Sequence, residues 1–448
     1  MTAETQMPSG LPDLTPALDR MRAAQWTRLT RIAFRFCFLY FSLYVLVTQM
    51  VQSLIIFPKL EYPELGALPP IRTLIFWMAR RVFHVTRALV FKDSGSGDKR
   101  FDWIEALLLL VIAVLAAAVW SWFDRRRENY TELHAWFRLF IRLALAATMF
   151  AYGVDKAIPL QMPFPGLTRL LEPYGNFSPA SVLWFFVGAS RPYEVFAGCA
   201  EILGGVLLLV PRTTMLGALI CLADLIQVFV LNMTYDIPVK LFSFHLIVMS
   251  LVLLAPDASR LVNFLLRDRA TSPSAAPQLF KTDRANRIAL AVQIFFGVYL
   301  LAVNFYNAAL AWKTYGGGAP HSVLYGIWNV EQFSVDGQSR APLLTDAGRP
   351  RRIVFQSPES ATFQQMDDSF IYYGASIKTA DKSLILSKAS DKNWSASFTY
   401  QQPAPDHLLL EGAVDNHKIQ MQLTLFDRNR FLLVSRGFHW IQEYPFYR

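Results

Sequence analysis

For its first 315 residues the chain alternates between long apolar runs and short polar or basic breaks, and then it changes character. Seven stretches, approximately 31–57, 102–122, 134–157, 191–210, 213–231, 238–255 and 288–310, approach the ~20 residues that carry an α-helix across a bilayer. Arg125-Arg126-Arg127, Pro211-Arg212 and Pro256-Asp257 stop three of them. Residues 58–101 do not fit the series. There Ile71, Leu74, Ile75, Met78, Val82, Val85 and Leu89 recur at helical spacing, with Arg80, His84 and Arg87 on another face. That spacing predicts an amphipathic helix at about 70–90 lying in the membrane interface, with an eighth span as the alternative. Beyond Gly316-Gly317-Gly318 come short alternating runs: Arg352–Phe355, Phe370–Ile377, Leu384–Leu386, Ser395–Tyr400, His407–Leu410, Lys418–Phe426 and Arg430–Val434, separated by turn residues such as Asp336-Gly337 and Asp415-Asn416. Short, regular strands of this kind indicate an antiparallel barrel or sandwich.

The expected fold is therefore a polytopic α-helical membrane protein of about seven spans carrying a C-terminal all-β antiparallel domain. The expected layout is an N-terminal segment over 1–30, two spans with the interfacial helix over 31–133, and a four-span core over 134–256. A linker over 257–287, a last span over 288–312 and the β-domain over 320–448 complete it. The first apolar run is too long for a signal h-region and reads as an uncleaved span.

Composition agrees: 53% of the 448 residues are hydrophobic and only 17% are charged. The net charge of +9 belongs to the helical part, because the chain from Gly316 onward is neutral. A basic excess beside apolar spans points to lipid headgroups and topology, not to nucleic acid. With the N-terminus inside, Arg20, Arg22, Arg28, the arginine triplet, Arg212 and the basic residues of 257–287 all face the cytoplasm, and an odd number of spans delivers the β-domain to the periplasm of a bacterial inner membrane. Cys37, Cys199 and Cys221 lie in apolar spans without a C-x-x-C pair and read as small buried hydrophobes.

The segment from about Phe150 to Pro256 resembles the DoxX-like family of bacterial membrane proteins. The likeness rests on Y-G-V-D-K-A-I-P-L-Q-M-P-F-P at 152–165, S-P-A-S-V-L-W-F-F-V-G at 178–188, E-V-F-A-G-C-A-E-I-L-G-G-V-L-L-L at 194–209, R-T-T-M-L-G-A-L at 212–219 and L-N-M-T-Y-D-I-P-V-K-L at 231–241. The resemblance implies a four-helix membrane bundle. It also implies a place in membrane redox systems, some of them quinone-linked, with an oxidoreductase partner subunit. The β-domain opens Y-G-I-W, whose Gly326 and Trp328 look like the start of a lipocalin-type barrel, with Arg436 as the late arginine that would pack on the tryptophan.

Ionisable groups inside hydrocarbon are costly and mark function or pairing. Glu201, Asp224, His245 and Arg142 lie about 10–15 Å from the ends of their runs at 1.5 Å per residue, so they could share one polar hollow. Asp155, Lys156, Glu194, Tyr235, Asp236 and Lys240 form a second set toward the outer mouth. The functional reading is a pocket for a small lipophilic ligand, a quinone being the cofactor the resemblance suggests. In it Glu201 and His245 supply hydrogen bonds and a proton route, and Phe185, Phe186, Phe196 and Phe229 line a slot. The structural reading is an Arg142–Glu201 ion pair and Asp155–Lys240-type pairs holding helices together. No catalytic residue is assigned, and no His pair sits at metal-binding spacing in any span. The aromatic tail 436–447 reads as closing the barrel end or as a rim for docking. Two other functions compete: a membrane-anchored ligand carrier or assembly factor built on a hollow barrel, and a small-solute or proton-coupled permease.

Overall fold

The computed structural model describes residues 26–60, 62–92, 94–271 and 278–447. Most of the N-terminal segment, with Arg20 and Arg22, and the middle of the 257–287 linker lie outside the described residues. The chain divides into two compact units, Met1–Val154 with Ala197–Asn307, and Asp155–Phe196 with Ala308–Arg448.

Among the described residues seven helices are long and apolar enough to cross a membrane. They are α1 (Arg28–Val47), α3 (Arg100–Phe123), α4 (Thr131–Ala157), α6 (Arg191–Leu209), α7 (Thr214–Thr234), α8 (Lys240–Leu254) and α10 (Asp283–Thr314). Shorter helices are α2 (Pro69–Arg81), α5 (Pro179–Gly188) and α9 (Ala258–Leu266), the last continuing α8 through a single 3-10 turn. The seven expected spans are all present, and the protein is a multi-pass helical membrane protein. The outer faces show why. Leu107, Leu110, Val111, Val114, Leu115 and Val119 of α3 are exposed, which only a lipid solvent tolerates in such a row.

Local chemistry sets the helix ends. The Thr27 hydroxyl accepts from Thr30 N at 3.1 Å and starts α1. Asp102 accepts from Lys99 N at 2.9 Å and starts α3. The first span stops at Val47, ten residues before its apolar run ends. The Thr48 hydroxyl donates to Tyr44 O at 2.7 Å, and the chain restarts as a short turn at Met50–Leu54. In the first unit the core is built from Phe41, Tyr44, Val45, Ile141, Leu145, Phe150, Leu208, Leu246 and Leu300.

The amphipathic segment forms α2, which buries Ile75 and Ala79 against Phe101, Ile104 and Leu108 of α3. It covers 13 residues, about 20 Å of helix, which is short of the hydrocarbon thickness of about 30 Å. The helix ends at Val82, before His84, Val85, Arg87 and Leu89.

In the second unit eight strands form a closed barrel: β1 (Gly326–Val335), β2 (Pro350–Phe355), β3 (Ser360–Gln365), β4 (Phe370–Lys378), β5 (Ser383–Lys388), β6 (Asp391–Ala404), β7 (His407–Val414) and β8 (His417–Leu425). Each pairs antiparallel with its sequence neighbour, and β1 pairs with β8 from Trp328↔Leu425 to Val335↔Ile419. Closure removes both sheet edges. A bulge between Val330 and Gln332 shifts β1 by one residue, so Trp328 and Val330 point inward before it and Phe333 and Val335 after it. Gly326 sits at φ +148, where a side chain is strained, and a Cβ there would lie 2.5 Å from Leu425 Cδ1. The interior is filled by Trp328, Phe333, Phe355, Phe398, Leu408 and Leu423, among others. Within the same unit, the 155–196 segment places Leu167 beside Ile327 and Val354, and Leu167 N donates to Gln356 Oε1 at 2.8 Å.

Three expectations in this domain are corrected. Residues 430–434 are not a strand. Asp427 accepts from Asn429 N at 2.9 Å and turns the chain into a 3-10 turn and the short helix Leu432–Ser435. Arg436 consequently lies beyond the last strand with its guanidinium 3.9 Å from the Phe446 ring centroid. Trp328 instead donates from Nε1 to Leu324 O at 2.9 Å. The tail does not fill the barrel end, since Phe438, Trp440, Tyr444 and Tyr447 are exposed.

Candidate functional site

His245 is buried in α8 with both ring nitrogens engaged. Nδ1 lies 2.7 Å from Leu241 O, one turn back, and Nε2 lies 2.7 Å from the Tyr40 hydroxyl of α1. A carbonyl oxygen only accepts, so Nδ1 carries the hydrogen and Nε2 accepts from Tyr40. The ring stacks on Tyr44, with centroids 4.0 Å apart and planes 5° from parallel. Tyr40 and Tyr44 are one turn apart and so share a face of α1.

Tyr44 also forms part of the wall of a cavity of about 1010 Å³ in the helical unit. Its lining comes from the end of α1, Leu60, Tyr62, Pro63, Glu64, Ala67 and Leu68, the start of α2, and Phe91, Lys92, Gly95, Ser96, Gly97 and Lys99. The start of α3, Tyr152 of α4, the start of α8 and Asn307 of α10 complete it, and it is open on one side. An up-and-down path through the seven spans brings these ends to one side of the bundle. The walls mix aromatic groups (Tyr62, Phe91, Tyr152, Phe242) with Gln49, Gln52, Arg72, Lys92 and Lys99. Local bonds shape it. Tyr62 O accepts from Gln52 Nε2 at 2.6 Å, Arg72 lies over the Phe91 ring at 4.8 Å, and Lys99 pairs with Asp102 at 3.5 Å. Beside the cavity, Asp98 accepts from Lys240 N and Leu241 N, both at 2.9 Å, which caps the start of α8.

Glu105, five residues into α3, lines this cavity. It is 3% exposed, and among the described residues nothing hydrogen-bonds its Oε1. Glu64, Asp102 and Lys99 are the charged groups within its electrostatic reach. Gly66 leaves room for the carboxylate, since a Cβ there would stand 1.7 Å from Oε1. A buried oxygen without a partner is rare in folded proteins and calls for an explanation, such as a bound water or ligand.

The residues singled out from the sequence fall into separate neighbourhoods. Arg142 donates from Nε to Leu208 O and from Nη2 to Leu209 O, both at 2.8 Å, and so satisfies the last carbonyls of α6. The Arg142–Glu201 pair expected from depth alone gives way to this cap. Glu201 is buried beside Gly153, and Glu201 and Asp224 both lie within electrostatic reach of Cys221. Glu194 is fully buried and accepts from Met162 N at 2.9 Å, with Lys156 and Arg191 the charges nearest it. Asp155 O accepts from Leu160 N at 3.0 Å, which turns the chain out of α4. Lys240 pairs with Asp236 at 2.9 Å and reaches Asp98 at 3.8 Å, taking the place given to an Asp155–Lys240 pair. Tyr235 caps α7, its N–H donating to Leu231 O at 2.9 Å. Phe186 and Phe196 are 64% and 68% exposed, so neither lines a slot.

None of the expected set lines the cavity itself; Lys240 stands between the lining residues Val239 and Leu241, and His245 stacks on the lining Tyr44. Sequence reasoning missed Glu105, Tyr40, Tyr44 and Asp98. Glu105 left one signal, an acid inside D-W-I-E-A-L-L-L. Among the described residues no group of three or more His, Cys, Asp or Glu is arranged to hold a metal ion.

The chain is 37% identical over 143 residues to the uncharacterized protein YwoB of Bacillus subtilis (strain 168), a match that covers 32% of this chain and 88% of that protein. No family model matches the chain. No solved structure matches it either.

Proposed function

Taking as premise that the chain belongs to the family of Bacillus subtilis YwoB, we propose that its helical unit binds a small lipophilic molecule with a polar head in the cavity beside Glu105. The DoxX-like resemblance makes that molecule a quinone and the protein the membrane subunit of a redox-linked system. The unpartnered Glu105 oxygen in the wall of a 1010 Å³ cavity carries this reading. Ligand pockets of about 300–1,000 Å³ with apolar walls and a few placed polar groups are the usual receptacles for such molecules. The residues suit a quinone ring. Tyr62, Phe91, Tyr152 and Phe242 offer flat apolar walls, and Gln49 and Gln52 offer donors for carbonyl oxygens. Glu105 accepts from a hydroxyl of the reduced form. Tyr44, stacked on His245, joins the cavity to a polar chain ending at Tyr40. The matching surroundings are the inner membrane of a bacterium, with the N-terminus in the cytoplasm.

The carrier alternative needs a hollow barrel. Trp328, Phe355, Phe398 and their neighbours fill the interior and leave the helical unit as the place for a ligand.

The test is extraction. Protein purified with its native lipids is extracted for quinones, beside Glu105→Gln and a Tyr62→Ala/Phe91→Ala double variant. Near-stoichiometric quinone in the parent protein, and at least tenfold less in the variants, supports the assignment. No quinone above the lipid background in any preparation removes it.

A further inference from the structure

A second, smaller hollow lies in the same helical unit and plays no part in the reading above. Its volume is about 110 Å³, and its walls include Arg138, Arg142, Arg212 and Arg260 with a single carboxylate, Asp257. It has room for several waters, or for one tetrahedral oxyanion.

The charges do not balance. Asp257 is already shared, with Oδ1 accepting from Arg260 Nη1 at 2.5 Å and Oδ2 lying 3.7 Å from Arg138 Nη2. Arg142 is buried, and among the described residues its hydrogen-bond partners are all neutral: two backbone carbonyls and the Gln293 amide oxygen. Arg212, in the turn between α6 and α7, is exposed, and its side chain makes no hydrogen bond among the described residues. Among the described residues, four arginines therefore share the lining of a partly buried space with one carboxylate, an excess of positive charge. Gathered like charges repel, and an anion seated among them reverses the sign of that interaction. The first turn of α7 opens onto the same hollow through Thr214 and Met215, adding the positive end of a helix of 21 residues.

We propose that this hollow binds a phosphate-bearing anion, held by the forked guanidinium groups of Arg138, Arg142, Arg212 and Arg260. Guanidinium matches phosphate oxygens in pairs, which a lone ammonium does not. Two sources present this chemistry: the headgroup of an anionic phospholipid and free inorganic phosphate. The arginines crowd the end of the bundle that the positive-inside distribution assigns to the cytoplasm, and the leaflet there is rich in anionic lipid.

The test uses the full-length protein in phosphatidylcholine nanodiscs, with and without phosphatidylglycerol, and separately with added inorganic phosphate. The readouts are the thermal unfolding midpoint and lipid retention by native mass spectrometry. Arg212→Gln is the principal variant, because it removes one fork without touching a structural hydrogen bond. Arg126→Gln, a basic residue outside the hollow, controls for bulk charge. The expected result is a midpoint raised by phosphatidylglycerol, with apparent affinity about tenfold weaker in Arg212→Gln and unchanged in Arg126→Gln. If inorganic phosphate alone saturates an Arg212-sensitive shift, the site stands and its occupant is the free anion. No shift with either source, or a shift equal in Arg212→Gln and the parent, overturns the proposal.

Discussion

Replacing Glu105 by Met separates stability from ligand binding. The side chain is 3% exposed, its Oε1 finds no partner among the described residues, and two of the three charged groups within its reach are acids. Leaving a buried polar atom unsatisfied costs about 1–3 kcal/mol, and more when it is charged. Methionine has nearly the same length and no polar atom, so it removes that cost and the repulsion from Glu64 and Asp102, while forfeiting the attraction of Lys99. Replacing buried ionic groups by well-packed apolar ones gains about 1–4 kcal/mol in other proteins. The expected net gain is about 1–2 kcal/mol in ligand-free protein, read as a higher midpoint in detergent-induced unfolding. The same variant loses the acceptor for the ligand's hydroxyl and binds quinol about fivefold more weakly, one hydrogen bond's worth. A gain in stability with a loss of binding is the signature of a site kept under strain for function. Lower stability in the ligand-free state, together with unchanged binding, refutes the reasoning.

Other outcomes follow from single contacts. Tyr40→Phe leaves His245 Nε2 without its donor and lowers stability by about 1–3 kcal/mol in the same unfolding assay, whereas Tyr40→Phe in a His245→Phe background costs much less. Arg35 is buried and donates to the Tyr130 hydroxyl, Ser121 Oγ and Asp124 O across α1, α3 and the loop after it, so Arg35→Ala costs about 3–5 kcal/mol and Arg35→Lys recovers only part. Gly326→Ala meets both an unsuitable φ and Leu425, and loosens β1 against β8, seen as faster amide exchange at Trp328–Val330. In the turn after β1 the His417 ring and the Lys418 N–H hold the Asp336 carboxyl below its ordinary value. Its contribution to the barrel is therefore complete above about pH 4 and is lost as pH falls through the lowered folded value. Exchange protection near Asp336 should fade on acidification in the parent protein and show no such step in Asp336→Asn.

Most of the helical architecture was legible because hydrocarbon imposes one simple rule: about 20 apolar residues with few charges. The first span misled at its end, since Ile55–Phe57 continue the apolar run while the Thr48 hydroxyl has already closed the helix. In the barrel, β3 escaped notice because Ala361–Gln365 are all buried, including Thr362, Gln364 and Gln365, and no alternation survives. Gln364 is buried as the partner of Arg352 and Asp368, not as a hydrophobe. The β1 bulge hid a second strand's phase in the same way. The site was legible only in part. Depth along a helix says how far a side chain sits from the surface but not which way it faces. Arg142 and Glu201 were therefore joined on depth, whereas Arg142 answers the carbonyls of Leu208 and Leu209. The residues that do surround His245 stand about two hundred positions away in α1, and Asp98 reaches α8 from a loop whose pattern announced only a surface helix. Such contacts are set by tertiary packing and leave no local periodicity.

The most direct check on the cavity is photolabelling. Full-length protein in nanodiscs is irradiated with a photoreactive quinone analogue, with and without excess natural quinone, and the attachment sites are read by peptide mass spectrometry. Competed labels on peptides containing Tyr44, Gln52, Tyr62, Phe91 or Phe242, and weaker labelling in Glu105→Gln, are expected. Competed labels confined to the neighbourhood of Glu201 and Cys221, or labelling that excess quinone does not reduce, would contradict the account.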